Sequence, residues 1–406
     1  MGIILKKTYK IYFFVLLLVI LFSGLNVYSG KTKDSSDHIL WEKTYGGNDE
    51  DIIRDLIITN DDYLVTVGNS SSWGDAWQSI WIMKLDSQGN KISNIFNGEE
   101  NYNLANSITF TEDGNFIVAG ESNWLHCSSC DEQGRGWIAK INPDLYIIWE
   151  KNLGEDKNNS IEHIFSINGQ GFAISGSTHS SKTSEFNAWF AFLDGEGNYL
   201  WSKEFNNLFQ DKATCILYLE EKGFLVAGHS QSNYMNKSDA WILKLTMDGN
   251  IEWEKHFIGA GINVFNKIIP SIDSGVLAVG YTSSKGVGWQ DAWVIQLDKD
   301  GNLEWEKTFG GDKKDILVSA IKTDKNKYLL AGNTSSKSKN EEKISKTWVI
   351  QLDKDGNLEW EKTFGGDKQT ITTGIINRDD ESIFLFGKIQ VSDKEEYNGW
   401  IMNFRP

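Results

Sequence analysis

Proline, cysteine, histidine and positive charge are all scarce in this sequence. Its 406 residues include 3 prolines, 3 cysteines and 6 histidines, and 40 lysines and arginines stand against 56 aspartates and glutamates. The lack of proline excludes long proline-rich linkers. The acidic balance argues against nucleic acid as the main partner, because phosphate binding needs clustered Lys and Arg. It also argues against docking on anionic lipid.

Hydrophobic residues and glycines, in contrast, are abundant. Hydrophobic residues make up 40% of the chain, which also holds 38 glycines and 17 tryptophans. This composition supplies a large core and many turns. We therefore expect a folded chain of strands and turns rather than a disordered one.

A long apolar run lies near the N-terminus. The basic segment KKTYK precedes the run Ile11–Phe22, and small residues up to Ser29 precede Gly30. This pattern predicts a signal peptide over residues 1–29 and a secreted or cell-envelope location. The alternative is an uncleaved anchor, through which the chain would contact a membrane, although a spanning helix needs about 20 apolar residues.

A repeat organises the rest of the chain. The 21-residue stretch WVIQLDKDGNLEWEKTFGGDK occurs at Trp293–Lys313 and again at Trp348–Lys368. Each unit has a hydrophobic run closed by Gly, a Ser-rich loop, a strand with Trp, a turn, and a second strand with Trp. The Gly falls at Gly68, Gly120, Gly176, Gly228, Gly280, Gly332 and Gly387. The first Trp position is Trp81, Trp137, Trp189, Trp241, Trp293, Trp348 and Trp400. The second is Trp41, Ser93, Trp149, Trp201, Trp253, Trp305 and Trp360.

Seven units with a period of 52 residues, lengthened to 56 and 55 in two of them, predict an all-β, seven-bladed β-propeller of four-stranded blades. After the leader, the chain opens with ILWEKTYGG, the last strand of a unit, and it ends with GWIMNF, the strand before that one. We predict that the N-terminal strand completes the seventh blade in a 3+1 closure, which removes a sheet edge. Residues 30–406 would then form one domain.

The repeat resembles the bacterial secreted β-propeller repeat family often called SBBP. Units of that family read GN-x-x-V-x-G-x-T, then DAFVAKLD-x-x-G-x-x-x-W, then GG. The resemblance covers nearly all of residues 38–406. It implies the fold and almost nothing about activity, because propellers host many unrelated functions.

The segment from the Gly to the next Trp carries all of the length variation. It spans 13 residues, except for 17 in the second unit and 16 in the sixth. We predict that it joins the second and third strands, on the face of the blade-to-blade crossovers, where binding residues tend to lie. Four tryptophans outside the repeat positions fall in these loops: Trp73, Trp77, Trp124 and Trp289. They either contact a ligand or fold back on their own loops.

Short polar residues recur ten positions after the second Trp position. They are Asp51, Asn103, Asn159, Asp211, Asn263, Asp315 and Thr370. This polar collar should begin each innermost strand, where it either binds a cation such as Ca²⁺ or a ligand's hydroxyls, or makes the side-chain bonds of a turn. Four residues further on, the copies differ: Asp55, Ser107, His163, Cys215, Lys267, Ser319 and Gly374.

The cysteines suggest a local crosslink. Cys127 and Cys130 lie in the longest variable loop, and in an exported protein we predict a disulfide between them. A zinc site would need more ligands than the nearby His126 and Asp131, and a redox site normally has a helix after the CxxC. We expect Cys215, in a predicted inner strand, to be a buried small hydrophobe.

Motifs for other chemistry are incomplete. The LDKDGN turns lack the rest of a calcium loop, so we interpret them as turns. The D-x-x-G-N-x-x-W spacing is also similar to the tryptophan-docking repeat of quinoprotein propellers, but those usually have eight units, and no cofactor-binding set is apparent. The sequence contains no G-x-S-x-G, H-E-x-x-H or phosphate loop.

The sequence therefore favours an exported, non-enzymatic binding module for a carbohydrate or protein ligand. Its predicted contacts are the four loop tryptophans with Asp51, Asn103, Asp211 and Asp315. An enzyme alternative, namely a quinoprotein-like dehydrogenase, a lyase or a hydrolase, would use the central funnel and predicts ionisable residues there with shifted pKa values. A structural alternative, a cell-surface or adhesion protein, predicts self-association and no pocket.

Overall fold

The computed structural model describes residues 39–406 except 75, 99–101, 125–133, 155–157, 168, 180–184, 207–209, 221, 232–236, 338–343, 379–381 and 392–395. In this part of the chain, all 28 regular elements are β-strands and none is a helix. It follows that no helix of the described residues is able to cross a bilayer. The predicted signal peptide and the predicted Cys127–Cys130 disulfide lie outside the described residues.

The strands follow one another in groups of four. Group 1 is β2 (Asp51–Ile58), β3 (Leu64–Ser70), β4 (Ser79–Leu85) and β5 (Lys91–Asn97). Group 2 is β6 (Tyr102–Phe110), β7 (Phe116–Trp124), β8 (Arg135–Ile141) and β9 (Ile147–Leu153). Group 3 is β10 (Asn159–Ile167), β11 (Gly171–His179), β12 (Phe186–Leu193) and β13 (Tyr199–Phe205). Group 4 is β14 (Gln210–Tyr218), β15 (Phe224–Gln231), β16 (Ser238–Leu245) and β17 (Ile251–Phe257).

The later groups repeat this pattern. Group 5 is β18 (Asn263–Pro270), β19 (Val276–Thr282), β20 (Asp291–Leu297) and β21 (Leu303–Phe309). Group 6 is β22 (Asp315–Lys322), β23 (Tyr328–Thr334), β24 (Lys346–Leu352) and β25 (Leu358–Phe364). Group 7 is β26 (Thr370–Asn377), β27 (Ile383–Gln390) and β28 (Tyr397–Phe404), and β1 (Ile39–Tyr45) is its fourth strand.

Each group is an antiparallel sheet in chain order. In group 7, β1 pairs antiparallel with β28, with Trp41 opposite Asn403 and Tyr45 opposite Gly399. Groups 3 and 4 form one eight-stranded sheet because Phe186 and Gln210 make a single parallel pair. Equivalent parallel bridges join groups 1 and 2, 4 and 5, and 5 and 6, at Gln78–Tyr102, Ser238–Ile262 and Gln290–Lys314. Groups 3 and 4 are therefore joined in the same way as these other neighbouring groups, by one parallel pair, although here the pair merges two four-stranded sheets into one.

The core lies between consecutive groups. Seven clusters of buried side chains each draw residues from two groups, and one of them joins group 7 to group 1 through Phe384, Ile401, Ile53 and Trp81. The tryptophans of the third strands are at most 4% exposed in all seven groups. Because each sheet buries both faces against its neighbours, no group would hold a complete core alone.

The first strand of every group is the inner strand, and it contacts the first strands of its neighbours, β26 and β2 included. Each inner strand carries a β-bulge three residues after the polar collar, opposite the repeat Gly. A Cβ on Gly68 would lie 1.9 Å from the Ile52 carbonyl oxygen, so only Gly permits this approach. The hydrophobic run ends at this Gly but the strand does not: β3 continues past Gly68 to Ser70.

The fourth strand of every group is the outer strand. In five groups its Trp packs against a turn of the next group; Trp41 contacts Gly89, for example, and Trp149 contacts Gly197. Each outer strand has a second bulge at the residue before the Trp position. The turns themselves follow the predicted chemistry, since Asp298 accepts backbone N–H bonds from Asp300 at 2.9 Å and Asn302 at 2.8 Å.

Candidate functional site

One end of the molecule gathers the crossovers between groups and the loops between second and third strands; we call it the crossover face. The loop 283–290 shows how it is built. Ser283 and Ser284 hydroxyls accept N–H bonds from Ile262 at 2.7 Å and from Gly261 at 2.9 Å. At its other end, the Trp289 N–H donates to the Lys313 carbonyl at 3.2 Å. The loop 283–290 is therefore held by two crossovers.

The polar collar begins the inner strands at this face, as predicted, and all seven members are buried. Asp51 Oδ2 accepts from the Gly47 N–H at 2.8 Å and the Ser72 hydroxyl at 2.7 Å. Asp315 repeats this with Gly311 at 2.8 Å and Ser336 at 2.6 Å. Asn103 Nδ2 donates to the Gln78 carbonyl at 3.3 Å. These bonds favour the turn interpretation of the collar; ligand binding by Asp51, Asn103, Asp211 and Asp315 stays a prediction.

The bulge residue of each inner strand reaches toward the next group. The side chains of Asn106, Thr214, Asn266 and Thr373 donate to the carbonyls of Ile161 (2.9 Å), Phe265 (2.7 Å), Leu317 (2.6 Å) and Ile53 (2.7 Å). In group 6, the bulge residue Val318 cannot donate, and Asn333 supplies the bond to Thr372 instead, at 3.1 Å. This inter-group bond is a structural rule of the repeat.

Arg54 and Glu162 break that rule. They are the bulge residues of groups 1 and 3. Arg54 Nε donates to Asn69 Oδ1 at 2.8 Å, and Glu162 Oε1 accepts from Lys212 Nζ at 2.8 Å. A carboxylate cannot donate to the neighbouring carbonyl at all. Positions where a repeat departs from a local rule are expected at functional sites.

Three further ionisable residues join them. The Ser160 hydroxyl contacts Oε1 of both Glu121 and Glu162, the latter at 2.6 Å. Because a hydroxyl has one proton, it donates fully to only one of the two carboxyl groups at a time. Lys212 retains 39% exposure of its side chain, and His229 lies opposite Lys212 in the strand pairing. We call Arg54, Glu121, Glu162, Lys212 and His229 the inner-strand cluster.

The surroundings shift the pKa values of this cluster in opposite directions. Burial, followed by repulsion from Glu162, raises the pKa of Glu121. Burial also acts to raise the pKa of Glu162, but Lys212 outweighs it, and the pKa lies below its usual value. Burial, with Lys212 next, lowers the pKa of His229 to about 4. Glu121 therefore holds its proton more tightly than Glu162 does.

A second set of polar and ionisable side chains lies one residue after the bulge in the inner strands, at the positions where the copies differ. Lys267 Nζ lies 2.7 Å from His163 Nε2. Asp55 Oδ2 accepts from the Ser107 hydroxyl and the Ile108 N–H, both at 3.0 Å. Burial raises the pKa of Asp55, and burial with the nearby Lys267 holds the pKa of His163 well below 6.5. Cys215 is a free, buried thiol 3.9 Å from His163 Nδ1, as expected for a small hydrophobe.

The loop tryptophans divide into two kinds. Trp73 is 40% exposed and packs on its own sheet, 6.2 Å from Trp81 and 5.9 Å from Phe96 between ring centroids. Trp77 and Trp289, which hold equivalent positions in groups 1 and 5, are 71% and 75% exposed. Trp124 is the last residue of β7 rather than a loop residue, which corrects its predicted location; its side chain lies outside the description.

A pocket of about 250 Å³ opens between groups 1 and 2 at this face. Asn97, Asn103, Trp137 and Glu150 are among its lining residues. The Trp137 indole N–H donates to Glu150 Oε2 at 3.0 Å, which fixes the carboxylate at the pocket wall. Trp77 touches Tyr102, the residue before Asn103, with 5.7 Å between ring centroids. The pocket and one exposed indole are therefore neighbours.

Sequence reasoning missed the inner-strand cluster. Arg54 and Glu162 stand three residues after the collar, where other units have Asn, Thr or Val. Glu121 and His229 directly follow the repeat Gly, where other units have Asn, Ser, Tyr or Lys. Ionisable residues at these repeat positions could have indicated the cluster. The bulge that turns the Arg54 and Glu162 side chains toward the next group is visible only in the structure.

No protein-family model matches the chain, and no curated protein matches it in sequence. Among solved structures, the polysaccharide lyase Uly1 has a TM-score of 0.52 at 7% identity over 89% of this chain and 91% of that chain. Puromycin hydrolase has a TM-score of 0.50 at 8% identity over 88% of this chain and 52% of that one. The Pan2 WD40 domain of Neurospora crassa has a TM-score of 0.49 at 11% identity, covering 86% and 88%. At such identities the likeness concerns the fold alone, and the chain is a repeat protein with a β-propeller fold.

Proposed function

We propose that this chain is an exported, non-enzymatic binding module, a closed propeller of seven blades that holds its ligand at the crossover face. Closure is supported at the junction of groups 7 and 1. A core cluster fills that junction, and the Thr373–Ile53 bond there repeats the bond found at three other junctions. The strand β1 then completes the seventh blade from the N-terminal side. The inner strands would surround a central channel.

The observation that carries the ligand site is the replacement of the inter-group bond by Arg54 and Glu162. Blades 1 and 3 give up a hydrogen bond worth about 1 kcal/mol and present charged groups to the channel instead. These groups lie near the starts of the inner strands, so they line the channel mouth at the crossover face. A ligand with hydroxyl or charged groups would bind there, with Arg54 and Lys212 as donors and Glu162 as acceptor.

Exposed aromatic rings support the same face. Trp77 and Trp289 project from equivalent loops of blades 1 and 5, and flat indoles suit stacking on sugar rings or burial in a protein interface. The ligand class we propose is accordingly a carbohydrate or a protein segment. Export to the cell envelope or medium rests on the N-terminal sequence, and membership of the SBBP-like repeat family rests on the repeat pattern.

An enzyme that uses the channel is the second candidate, and the Glu121–Ser160–Glu162 arrangement is the observation that favours it. Two carboxyl groups with pKa values shifted apart, sharing one hydroxyl, are the arrangement expected for general acid and general base roles. Glu121 would supply a proton and Glu162 would accept one. The likeness in fold to a lyase and a hydrolase does not decide between the candidates.

Binding to a glycan array and pull-down of protein partners would test the proposal. Arg54→Asn should weaken binding at least tenfold while keeping the fold, because Asn serves at this position in blades 2 and 5. Asn266→Thr is the matched control. Both Asn and Thr make the inter-group hydrogen bond at the bulge position, so this change should leave binding unchanged. Trp77→Ala with Trp289→Ala should also weaken binding.

Binding that survives both Arg54→Asn and the double Trp variant would contradict the proposed site. Turnover of a bound glycan, abolished by Glu121→Gln with binding retained, would favour the enzyme candidate instead.

A further inference from the structure

Asn97 departs from the repeat at the end of the outer strand of group 1. Four residues after the second Trp position, each of the other six groups has an apolar or aromatic residue that packs toward the next group. Phe205, for example, lies 5.3 Å from Trp241 of the next group between ring centroids. The six residues are Tyr45, Leu153, Phe205, Phe257, Phe309 and Phe364. Group 1 therefore lacks a core side chain that all the other groups supply.

The pocket of about 250 Å³ between groups 1 and 2 lies where that side chain is missing, and Asn97, Ile80 and Trp137 are among its lining residues. Ile80 lies opposite Asn97 in the strand pairing. Groups 4 and 5 have Ala240 and Ala292 at that position, so Ile80 takes up part of the space of the missing ring. The part that stays open is smaller than the roughly 300–1,000 Å³ of pockets for drug-sized molecules. It suits a single ring.

The wall of this pocket is polar. Glu150 Oε2 accepts from Asn97 Nδ2 at 3.1 Å and from the Trp137 indole N–H at 3.0 Å. The carboxylate is therefore held in place, and its second oxygen accepts no hydrogen bond from the described residues. The Ser122 hydroxyl donates to Asn152 Oδ1 at 2.8 Å on the same wall. The pocket thus offers a fixed acceptor beside amide and hydroxyl groups.

The equivalent carboxylates of groups 5 and 6 are neutralised. Glu306 and Glu361 also accept from the indole of their own third strand. Each of them pairs in addition with a lysine, Lys285 or Lys337. Within the described part of the chain, no lysine pairs with Glu150. Its negative charge therefore faces whatever enters the pocket.

An exposed indole is anchored beside the pocket. The Gln78 carbonyl accepts from the backbone N–H of Asn103 at 2.9 Å and from its side-chain Nδ2 at 3.3 Å, and Asn103 lines the pocket. Trp77, one residue before this anchor, is 71% exposed. Trp289 holds the same position in group 5, next to a junction that Phe309 fills. Only the first of these two indoles therefore stands beside the gap left at Asn97.

The chemistry of the wall favours an uncharged ring that carries hydroxyl groups. An apolar ring would take the second oxygen of Glu150 out of water without giving it a partner, which costs free energy. An anionic ring would be repelled by Glu150, in a chain whose net charge is already −16. A sugar hydroxyl both donates and accepts, so it matches a carboxylate beside amides. The flat face of Trp77 suits stacking on a second ring.

We propose that this pocket binds one uncharged pyranose ring of a carbohydrate, with Glu150 accepting from its hydroxyls and Trp77 stacking on the adjoining ring. The inference goes beyond the proposed function, because the pocket uses none of the channel-mouth residues Arg54, Glu162 and Lys212. It stands whether or not a ligand occupies the channel mouth.

Calorimetric titration of the full chain with monosaccharides and tetrasaccharides of glucose, galactose, mannose and N-acetylglucosamine tests this proposal. At least one of these sugars should bind saturably to the wild-type protein. The variant Ile80→Ala/Asn97→Phe should lose that binding, because the new ring fills the pocket. It should keep the fold, because Ala240 and Phe257 form the same pair in group 4, and urea denaturation checks this.

A second variant keeps the test decisive if the first one folds poorly. Glu150→Gln retains an acceptor for the Trp137 indole and removes only the charge. It should weaken sugar binding about tenfold, because hydrogen bonds to a charged group are the stronger ones.

The two exposed indoles supply a matched control. Trp77→Ala should weaken tetrasaccharide binding about tenfold through the lost stacking, and it should change monosaccharide binding less. Trp289→Ala should leave both unchanged. Arg54→Asn should also leave monosaccharide binding unchanged, so a failure of this pocket is distinguishable from a failure of the channel-mouth site.

The absence of saturable binding by every sugar tested would overturn the proposal. Binding that survives both Ile80→Ala/Asn97→Phe and Glu150→Gln would do the same, as would equal losses in Trp77→Ala and Trp289→Ala. If the filled variant instead lost a protein partner in pull-down while the wild type bound no sugar, the pocket would belong to a side chain of that partner.

Discussion

The Thr373 hydroxyl donates to the Ile53 carbonyl at 2.7 Å, although 320 positions separate the two residues. Thr214 makes the matching bond to Phe265, also at 2.7 Å, between consecutive groups. In both cases the hydroxyl also lies 3.1 Å from a carbonyl of its own sheet, that of Phe386 or Ala227. Groups 7 and 1 are therefore joined by the same contact as groups 4 and 5.

Replacing Thr373 by Val should destabilise the protein by about 1 kcal/mol, because it removes one hydrogen bond and leaves a carbonyl unpaired. Thr214→Val is the internal control and should cost the same amount. Urea denaturation of both variants measures the two values. If Thr373→Val had no effect while Thr214→Val was destabilising, the junction of groups 7 and 1 would not be a closed one.

Asp315→Ala should cost about 2–4 kcal/mol. The carboxylate accepts bonds from the half-buried Gly311 N–H and Ser336 hydroxyl and from the buried Thr334 hydroxyl, and its loss would leave all three donors without that partner. Asp300→Ala, at an exposed turn residue, is the control and should cost less than about 0.5 kcal/mol. Thermal unfolding measures both. A fully functional collar cation site would instead appear as a rise in melting temperature on adding Ca²⁺ to the wild-type protein.

Stability should fall between about pH 6.5 and pH 4 through His229. Its pKa is 6.5 in the unfolded chain and about 4 in the fold, so in this window the unfolded state binds more protons and is favoured as the pH falls. Above pH 6.5 both states are neutral and the effect vanishes. With about 1.4 kcal/mol per pKa unit, and allowing for water in the channel, we expect a loss on the order of 1–3 kcal/mol.

His229→Gln should remove that loss. The comparison of wild type and variant, by urea denaturation at pH 7 and at pH 4.5, cancels the contributions of His163, which has the same sign, and of Glu121, which has the opposite sign because its pKa is raised. An identical pH dependence in the two proteins would show that His229 is not buried in neutral form beside Lys212.

Trp73→Ala should destabilise the fold by about 2 kcal/mol, because its ring packs on Trp81 and Phe96 and leaves part of their surface bare when removed. Trp77→Ala should cost less than about 1 kcal/mol, since most of that indole is already in water. Denaturation of each single variant measures the two losses of stability separately. A large cost for Trp77→Ala would mean that this ring is a plug for its own loop rather than a free contact.

Much of the fold could be predicted from the sequence because its determinants are local. Asp-Gly turns such as Asp298–Asn302 close hairpins by bonds within five residues. Alternating apolar runs specify strands, and Trp at fixed spacing predicts a buried third strand, as Trp293 and Trp348 confirm. The turn bonds of the collar also depend on nearby residues, so Asp51 and Asp315 could be assigned to the starts of inner strands.

The candidate site could not be predicted in this way, because its members meet only through tertiary structure. Arg54, Glu121, Glu162 and Lys212 come from four consecutive groups, and their side chains converge because bulges and strand pairing turn them toward the interior. Nothing in the identity of Glu162 reveals that Lys212 neutralises it while Ser160 links it to Glu121.

The sequence by itself determined the repeat, the strand and turn pattern and the positions of the core tryptophans, since each is set by the pattern within one unit of about 52 positions. Only the tertiary structure decided which indoles reach water, which polar residues join neighbouring sheets, and which carboxyl has the raised pKa. Those outcomes depend on contacts between units, and desolvation and charge pairing act through distance in space rather than separation along the chain.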